Sequence, residues 1–213
     1  MRLLGITLNK IFPYLHPTSI CVEYGNIVSI KKKHNVNVEV KGRNNVITSH
    51  GKLYGTSIRI IGTNNEIIMS KDSKVLNSTF VVIGDSCKII IDEGATIGHH
   101  CWLTVMGKGN EIKVGKDSML ADDVDLWASD SHPIFMKNNP EVIINPSGSI
   151  HIADHVWIGK RSAVLKNVDI GENTVVGMGS IVTKSVSSSC IVVGSPAKVI
   201  REGVNWDRRH INI

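Results

Sequence analysis

The stretch "ASDSHPIF", residues 128–135, sets a histidine, His132, beside a proline and two residues after a carboxylate, Asp130. An imidazole has an unperturbed pKa near 6.5 and can take a proton from a hydroxyl group at neutral pH. Such a ring must present one chosen nitrogen, so its other N–H needs an acceptor, which Asp130 or a backbone carbonyl could supply. Asp122, Asp123 and Asp125 lie just upstream and suit either polar turns or a hydroxyl-rich ligand. Downstream, Lys184, Lys198 and Arg201 are cations that could meet an anion, and Arg208, Arg209 and His210 form a basic cluster near the end. Trp157, in "HVWIG", offers a flat apolar surface for a ring or for a neighbouring chain.

These side chains need a rigid frame, and the frame is written as a repeat. From residue 152 the chain divides into "IADHVW IGKRSA VLKNVD IGENTV VGMGSI VTKSVS". Ile152, Ile158, Val164, Ile170, Val176 and Val182 recur every six residues. Four residues after each stands a small or β-branched residue: Val156, Ser162, Val168, Thr174, Ser180 and Val186. A helix would repeat its apolar residues at three and four, whereas six fits a short strand and a turn forming one side of a prism. Three sides make a coil of about 18 residues, so the spacing predicts an all-β fold, a parallel β-helix of hexapeptide repeats.

Upstream the unit loosens. "GRNNVI" at 42, "GTNNEI" at 62, "GDSCKI" at 84 and "GKGNEI" at 107 place glycines about one coil apart, which predicts a ladder of Asn45, Asn65 and Asn110 with Cys87 as one rung. The rhythm stops at 128–150, and a long irregular excursion from a regular scaffold is a place to look for function. The expected organisation is a lead-in over 1–40, a β-helix over 41–195 with its excursion at 128–150, and a short helical tail over 196–213 that covers the open last coil. The first sixteen residues, "MRLLGITLNKIFPYLH", read as a short amphipathic helix or strand rather than a signal peptide.

Composition bounds the rest. The 213 residues are 42% hydrophobic, enough for a core, and no uninterrupted apolar run approaches the roughly 18–20 residues that span a bilayer. Four scattered cysteines without a CxxC pair suggest neither a disulfide framework nor a zinc knuckle, and they suit a reducing cytoplasm. The net charge of +5 is compatible with an anionic ligand or with peripheral association at an acidic membrane surface. Few aromatics and no basic-aromatic ribbon argue against a nucleic-acid platform.

The stretch "VWIGKRSAVLKNVDIGENTVVGMGSIVTKSV", followed by "VVGSPAKVI", closely resembles the C-terminal half of the hexapeptide-repeat acyltransferases, in particular their sugar and polysaccharide O-acetyltransferases. The resemblance covers roughly residues 91–201. It implies a left-handed coil, which the spacing alone does not dictate, since general crossover rules favour the right hand. It also implies acetyl-coenzyme A as donor, direct transfer in a ternary complex, and active sites in the clefts of a homotrimer. His132 then becomes the general base that activates a hydroxyl against a thioester. Trp157 lines the active centre, and the backbone around Gly159 and Lys160 contacts the oxyanion. Thr183, Lys184, Lys198 and Arg201 lie along the coenzyme.

The expected acceptor is a carbohydrate, in particular a bacterial surface polysaccharide of a capsule or O-antigen, for which the basic balance favours an acidic glycan such as a sialic acid or uronic acid polymer. N-acetylation of an amino sugar nucleotide and O-acetylation of a free sugar or antibiotic are the alternatives within the enzymes. No metal is expected. His99, His100, His132, His151 and His155 raise the alternative of a gamma-class carbonic anhydrase, but their spacing departs from that family's pattern. A scaffold without activity, its hexads serving assembly alone, is the remaining alternative.

Overall fold

The computed structural model describes residues 18–211. The expectation for the first sixteen residues therefore lies outside the described part. Three stacks of short parallel strands form the sides of a prism. The first side carries eight strands: Ser19–Val22, Asn37–Arg43, Ser57–Thr63, Thr79–Asp85, Trp102–Lys108, Asp125–Trp127, Ala163–Leu165 and Ile181–Val182. The second runs from Ile27–His34 through Val46–Tyr54, Glu66–Met69, Lys88–Ile91, Glu111–Val114 and Ile150–Ile152 to Val168–Ile170. The third stacks Lys74–Leu76, Thr96–Ile97, Met119–Leu120, Trp157–Ile158, Val175–Val176 and Cys190–Gly194. Val46–Tyr54 bends around a corner, pairing through Val46–Ser49 on the second side and through Lys52–Tyr54 on the third. The parallel ladder already includes Ser19–Val22, within the segment read from the sequence as a lead-in.

The six-residue period has a direct cause. Ile152, Ile158, Val164, Ile170, Val176 and Val182 all point inward and are at most 1% exposed. Each stacks on its counterpart one coil away, and burying one such side chain contributes about 1.5–3 kcal/mol. Ser162 and Ser180, small residues of the second register, are also buried and form hydrogen bonds between coils: Ser162 Oγ donates to the Gly177 carbonyl at 3.0 Å, and the Gly194 amide donates to Ser180 Oγ at 3.1 Å.

The asparagine ladder is present, with Asn26 added at one end and the Asn110 side chain turned away at the other. Asn45 Nδ2 donates to Asn26 Oδ1 at 2.9 Å and Asn65 Nδ2 to Asn45 Oδ1 at 3.0 Å, while the Cys87 amide donates to Asn65 Oδ1 at 2.9 Å. The same amides reach carbonyls of the glycine column, with Asn45 on Gly62 at 2.8 Å and Asn65 on Gly84 at 2.7 Å. Those glycines cannot be replaced without displacing backbone: at Gly84, with φ of +134°, a Cβ would stand 1.9 Å from the Gly107 carbonyl oxygen. Asn110 departs from the ladder and donates to Ser147 Oγ at 2.9 Å, tying it to the end of the excursion.

The expected helical tail is not found: no helix occurs among the described residues. Ala197–Glu202 instead turns back as an antiparallel strand on Cys190–Gly194. The last coil leaves a row of backbone donors and acceptors open, and a returning strand satisfies them as a helix could not. Covering the last coil, the function expected of the tail, is thus performed by a strand.

Candidate active site

The excursion leaves the corner between the first and second sides and closes on itself. The Ala128 amide donates to the Thr104 carbonyl at 2.9 Å, anchoring its start, and the Gly148 amide donates to the Ala128 carbonyl at 3.0 Å, joining its ends. Between them a small antiparallel hairpin, Phe135–Met136 with Asn139–Ile143, projects outward. His132 lies exposed at the base of this hairpin, on a cavity of about 430 Å³ bounded also by Ile83, Met106, Pro133 and Ile143.

Asp130 does not accept from the His132 ring. Its carboxylate receives Lys166 Nζ at 2.5 Å and Asn145 Nδ2 at 2.9 Å, which together hold its pKa below the ordinary carboxylate range, the lysine contact being the larger cause. A lysine arriving from the next coil has captured the acid that proximity in sequence offered to the histidine.

Trp157 lies on the third side, 38% exposed, and is not brought to His132 within one chain. Its neighbour is a residue that the sequence reading passed over. Trp206, in the tail, stands 5.9 Å from Trp157 and stacks on His155 at 4.4 Å with the planes 10° apart. Trp206 Nε1 donates to the His155 carbonyl at 2.8 Å, and His155 Nε2 donates in return to the Trp206 carbonyl at 2.7 Å. Arg208 completes this clasp through Asp117 Oδ1 at 2.7 Å, Thr96 Oγ1 at 3.0 Å and the Ser118 carbonyl at 3.1 Å. Burial pushes the Asp117 carboxyl up, but its bonds to Arg208 and His155 outweigh this and bring its pKa below the ordinary value. Arg208 is thus committed to the fold and Arg209 pairs with Asp207 at 2.5 Å, so these two arginines are engaged within the chain. Nothing local in "VNWDRRH" signals the clasp, because its partners lie 51 and 91 positions away.

The turn after Trp157 departs from expectation in one respect. The Gly159 amide donates to the Val176 carbonyl at 2.8 Å as part of the ladder between coils, so it is not free to contact an oxyanion. Lys160 Nζ approaches Asp123 at 3.5 Å and Asp122 at 3.7 Å, a pairing across coils. Asp122 also accepts from the His99 amide at 2.8 Å, the leading cause of its lowered pKa, and is a turn residue. Asp125 differs: burial, and then the charge of Asp123, raise its pKa.

Thr183 and Lys184 are exposed at the corner that carries His132, Lys184 lying one coil beyond Lys166. Lys198 and Arg201 are exposed on the returning strand. The histidines do not converge: His99 bonds Asn77, His151 bonds Asp169 and His155 bonds Asp117. Among the described residues no group of three His, Cys, Asp or Glu side chains is arranged to hold a metal ion.

Residues 149–184 match the family model described as "Bacterial transferase hexapeptide (six repeats)". The chain is 31% identical over 174 residues to the polysialic acid O-acetyltransferase of Neisseria meningitidis, covering 72% of this chain and 80% of that protein. It belongs to the hexapeptide-repeat acyltransferase family. This acyltransferase is also 34% identical over 144 residues to the polysialic acid O-acetyltransferase of Escherichia coli O1:K1 / APEC, a match covering 67% of the chain but only 41% of that longer relative. The crystal structure of the polysialic acid O-acetyltransferase OatWY superimposes with a TM-score of 0.84 at 27% identity, over 92% of this chain and 94% of that one. The prism accordingly has the left-handed winding of the family, against the general preference for right-handed crossovers.

Proposed function

We propose that this acyltransferase moves an acetyl group from acetyl-coenzyme A to a hydroxyl of a sugar in a bacterial surface polysaccharide, with His132 as general base. The observation that carries this reading is His132 itself, held exposed over a cavity at the neck of a closed excursion in a chain that shares 80% of its relative's length. The imidazole takes the hydroxyl proton as the sugar oxygen forms its bond to the thioester carbonyl carbon. The carbon–sulfur bond then breaks, and the same proton passes to the departing thiolate, so no acyl-enzyme is needed. Acidic acceptors, sialic acid polymers first, suit the net charge of +5 and the polysialic acid relatives.

The site is completed by a second copy of the chain. His132 and Trp157 belong to different sides of the prism. The hairpin beside His132 exposes Ile134, Phe135, Met136, Val142, Ile143 and Ile144, each 45–53% accessible, a concentration that calls for a partner surface. A homotrimer with its clefts between subunits joins the two elements. Thr183 and Lys184, at the His132 corner, then border the coenzyme, Lys184 meeting its phosphates, and Lys198 and Arg201 flank the far end. The cytoplasm is the working compartment, in keeping with four free cysteines.

Thiol release from acetyl-coenzyme A, followed across sialic acid polymers, uronic acid polymers, free sugars and amino sugar nucleotides, tests donor and acceptor together. His132→Ala is expected to lower turnover by about 10²–10⁴-fold on the accepted substrate. Undiminished turnover in that variant removes His132 from its role.

A further inference from the structure

The neck of the excursion is bound by a closed set of hydrogen bonds that no single stretch of sequence announces. Asn145 reaches across the neck and grips both flanks of the His132–Pro133 pair: its Nδ2 donates to the His132 carbonyl at 2.9 Å, and its Oδ1 accepts from the Ile134 amide at 2.6 Å. Pro133 has no N–H, so ordinary strand pairing cannot fix the backbone here, and a side-chain amide supplies both the donor and the acceptor that a partner strand would. The same Nδ2 donates to Asp130 Oδ2 at 2.9 Å. Lys166, from the coil beyond, fixes this unit to the prism through Asp130 Oδ2 at 2.5 Å and the Asn145 carbonyl at 3.0 Å. Its side chain is only 17% exposed, whereas the residues of the excursion from Ser131 to Ile144 are exposed throughout. The His132 amide closes the circuit on the Asp130 carbonyl at 2.7 Å.

We infer that Asn145 and Lys166 are positioning residues for the reaction: with Asp130 they clamp the His132 backbone to the rigid coils and so fix where the imidazole stands. The assignment rests on His132 being the base, as proposed above, and extends it to residues that act through the His132 backbone. A general base acts only within hydrogen-bond reach of the proton it takes, and a displacement of about 1 Å can cost on the order of 10²-fold in rate. An excursion of this length, carrying little buried surface of its own, would not hold that tolerance without fixed points. The clamp supplies one on each side of His132. It also accounts for Asp130, whose carboxylate holds Asn145 and Lys166, and through Asn145 the backbone of the histidine, rather than the histidine ring.

The test uses the full-length protein and the variants Asn145→Ala, Lys166→Met and Lys166→Arg, with two readouts. Amide hydrogen exchange over residues 131–146 reads the clamp without reference to activity. It is expected to accelerate in Asn145→Ala and Lys166→Met and to stay near wild type in Lys166→Arg, which keeps the charge and the donors. Steady-state thiol release is expected to show kcat lowered by about 10–100-fold in the first two, with KM for acetyl-coenzyme A changed less than twofold and kcat largely restored by arginine. Asn145 lies in an exposed segment, so its loss leaves the core intact even if Lys166→Met folds poorly. Unchanged exchange, or wild-type kcat in Asn145→Ala, overturns the inference. A wild-type protein that releases no thiol with any acceptor would instead defeat the functional reading, while the exchange data would still decide whether the clamp exists.

Discussion

At the scale of single residues, chemistry is decided by which neighbour captures a polar group first. Cys87 occupies an asparagine position in the ladder: its amide takes Asn65 Oδ1, but its thiol meets the Gly107 carbonyl only at 3.4 Å, where Asn65 offers Gly84 an N–H at 2.7 Å. Cys87→Asn is therefore expected to raise stability by about 1 kcal/mol, while Asn65→Ala, which orphans buried groups on both sides, should cost roughly 2–4 kcal/mol. Urea unfolding midpoints check both. The thiols give a second measurement. Cys21 is exposed, whereas Cys87, Cys101 and Cys190 are buried, and burial pushes the Cys101 thiol up to about 11. One fast-reacting thiol is expected in the native protein and four after denaturation; a second fast thiol would mean that the core is more open than this packing.

At the scale of elements, the corners hold the prism together and the excursion departs from it. Gly84→Ala would drive a methyl group into the Gly107 carbonyl, and loss of soluble protein is the expected result. Gly179→Ala is a contrasting control: its φ of +73° is also positive but nothing lies within 4 Å, so a cost of about 1–2 kcal/mol is expected from thermal unfolding. The strands and the excursion were legible in the sequence because a six-residue repeat and its interruption are local patterns. The ladder of Asn45, Asn65 and Cys87 was legible for the same reason. The clamp was not, because Lys166 meets Asp130 across 36 positions and only the stacking of coils brings them together. The tail failed for a related reason: "AKVIRE" has no preference strong enough to resist the open edge of the last coil, which recruited it as a strand.

At the scale of the molecule, a solenoid buries its core without help but leaves the candidate site residues distributed over separate sides. Trp157 with Trp206 stands on one side, and His132 projects from the opposite corner on an apolar hairpin. Sedimentation equilibrium is expected to return three times the 23.3 kDa chain mass, and Phe135→Asp with Ile143→Asp should shift it toward one chain with loss of activity. A monomer that retains full turnover would remove the intersubunit cleft. The most direct measurement is acetyl-dependent thiol release with sialic acid polymer as acceptor, wild type against His132→Ala. Release by the wild type, with an acetyl ester on the polymer and a loss of at least about 10²-fold in the variant, is the expected result. Equal rates in the two proteins, or no transfer to any hydroxyl acceptor, would contradict it.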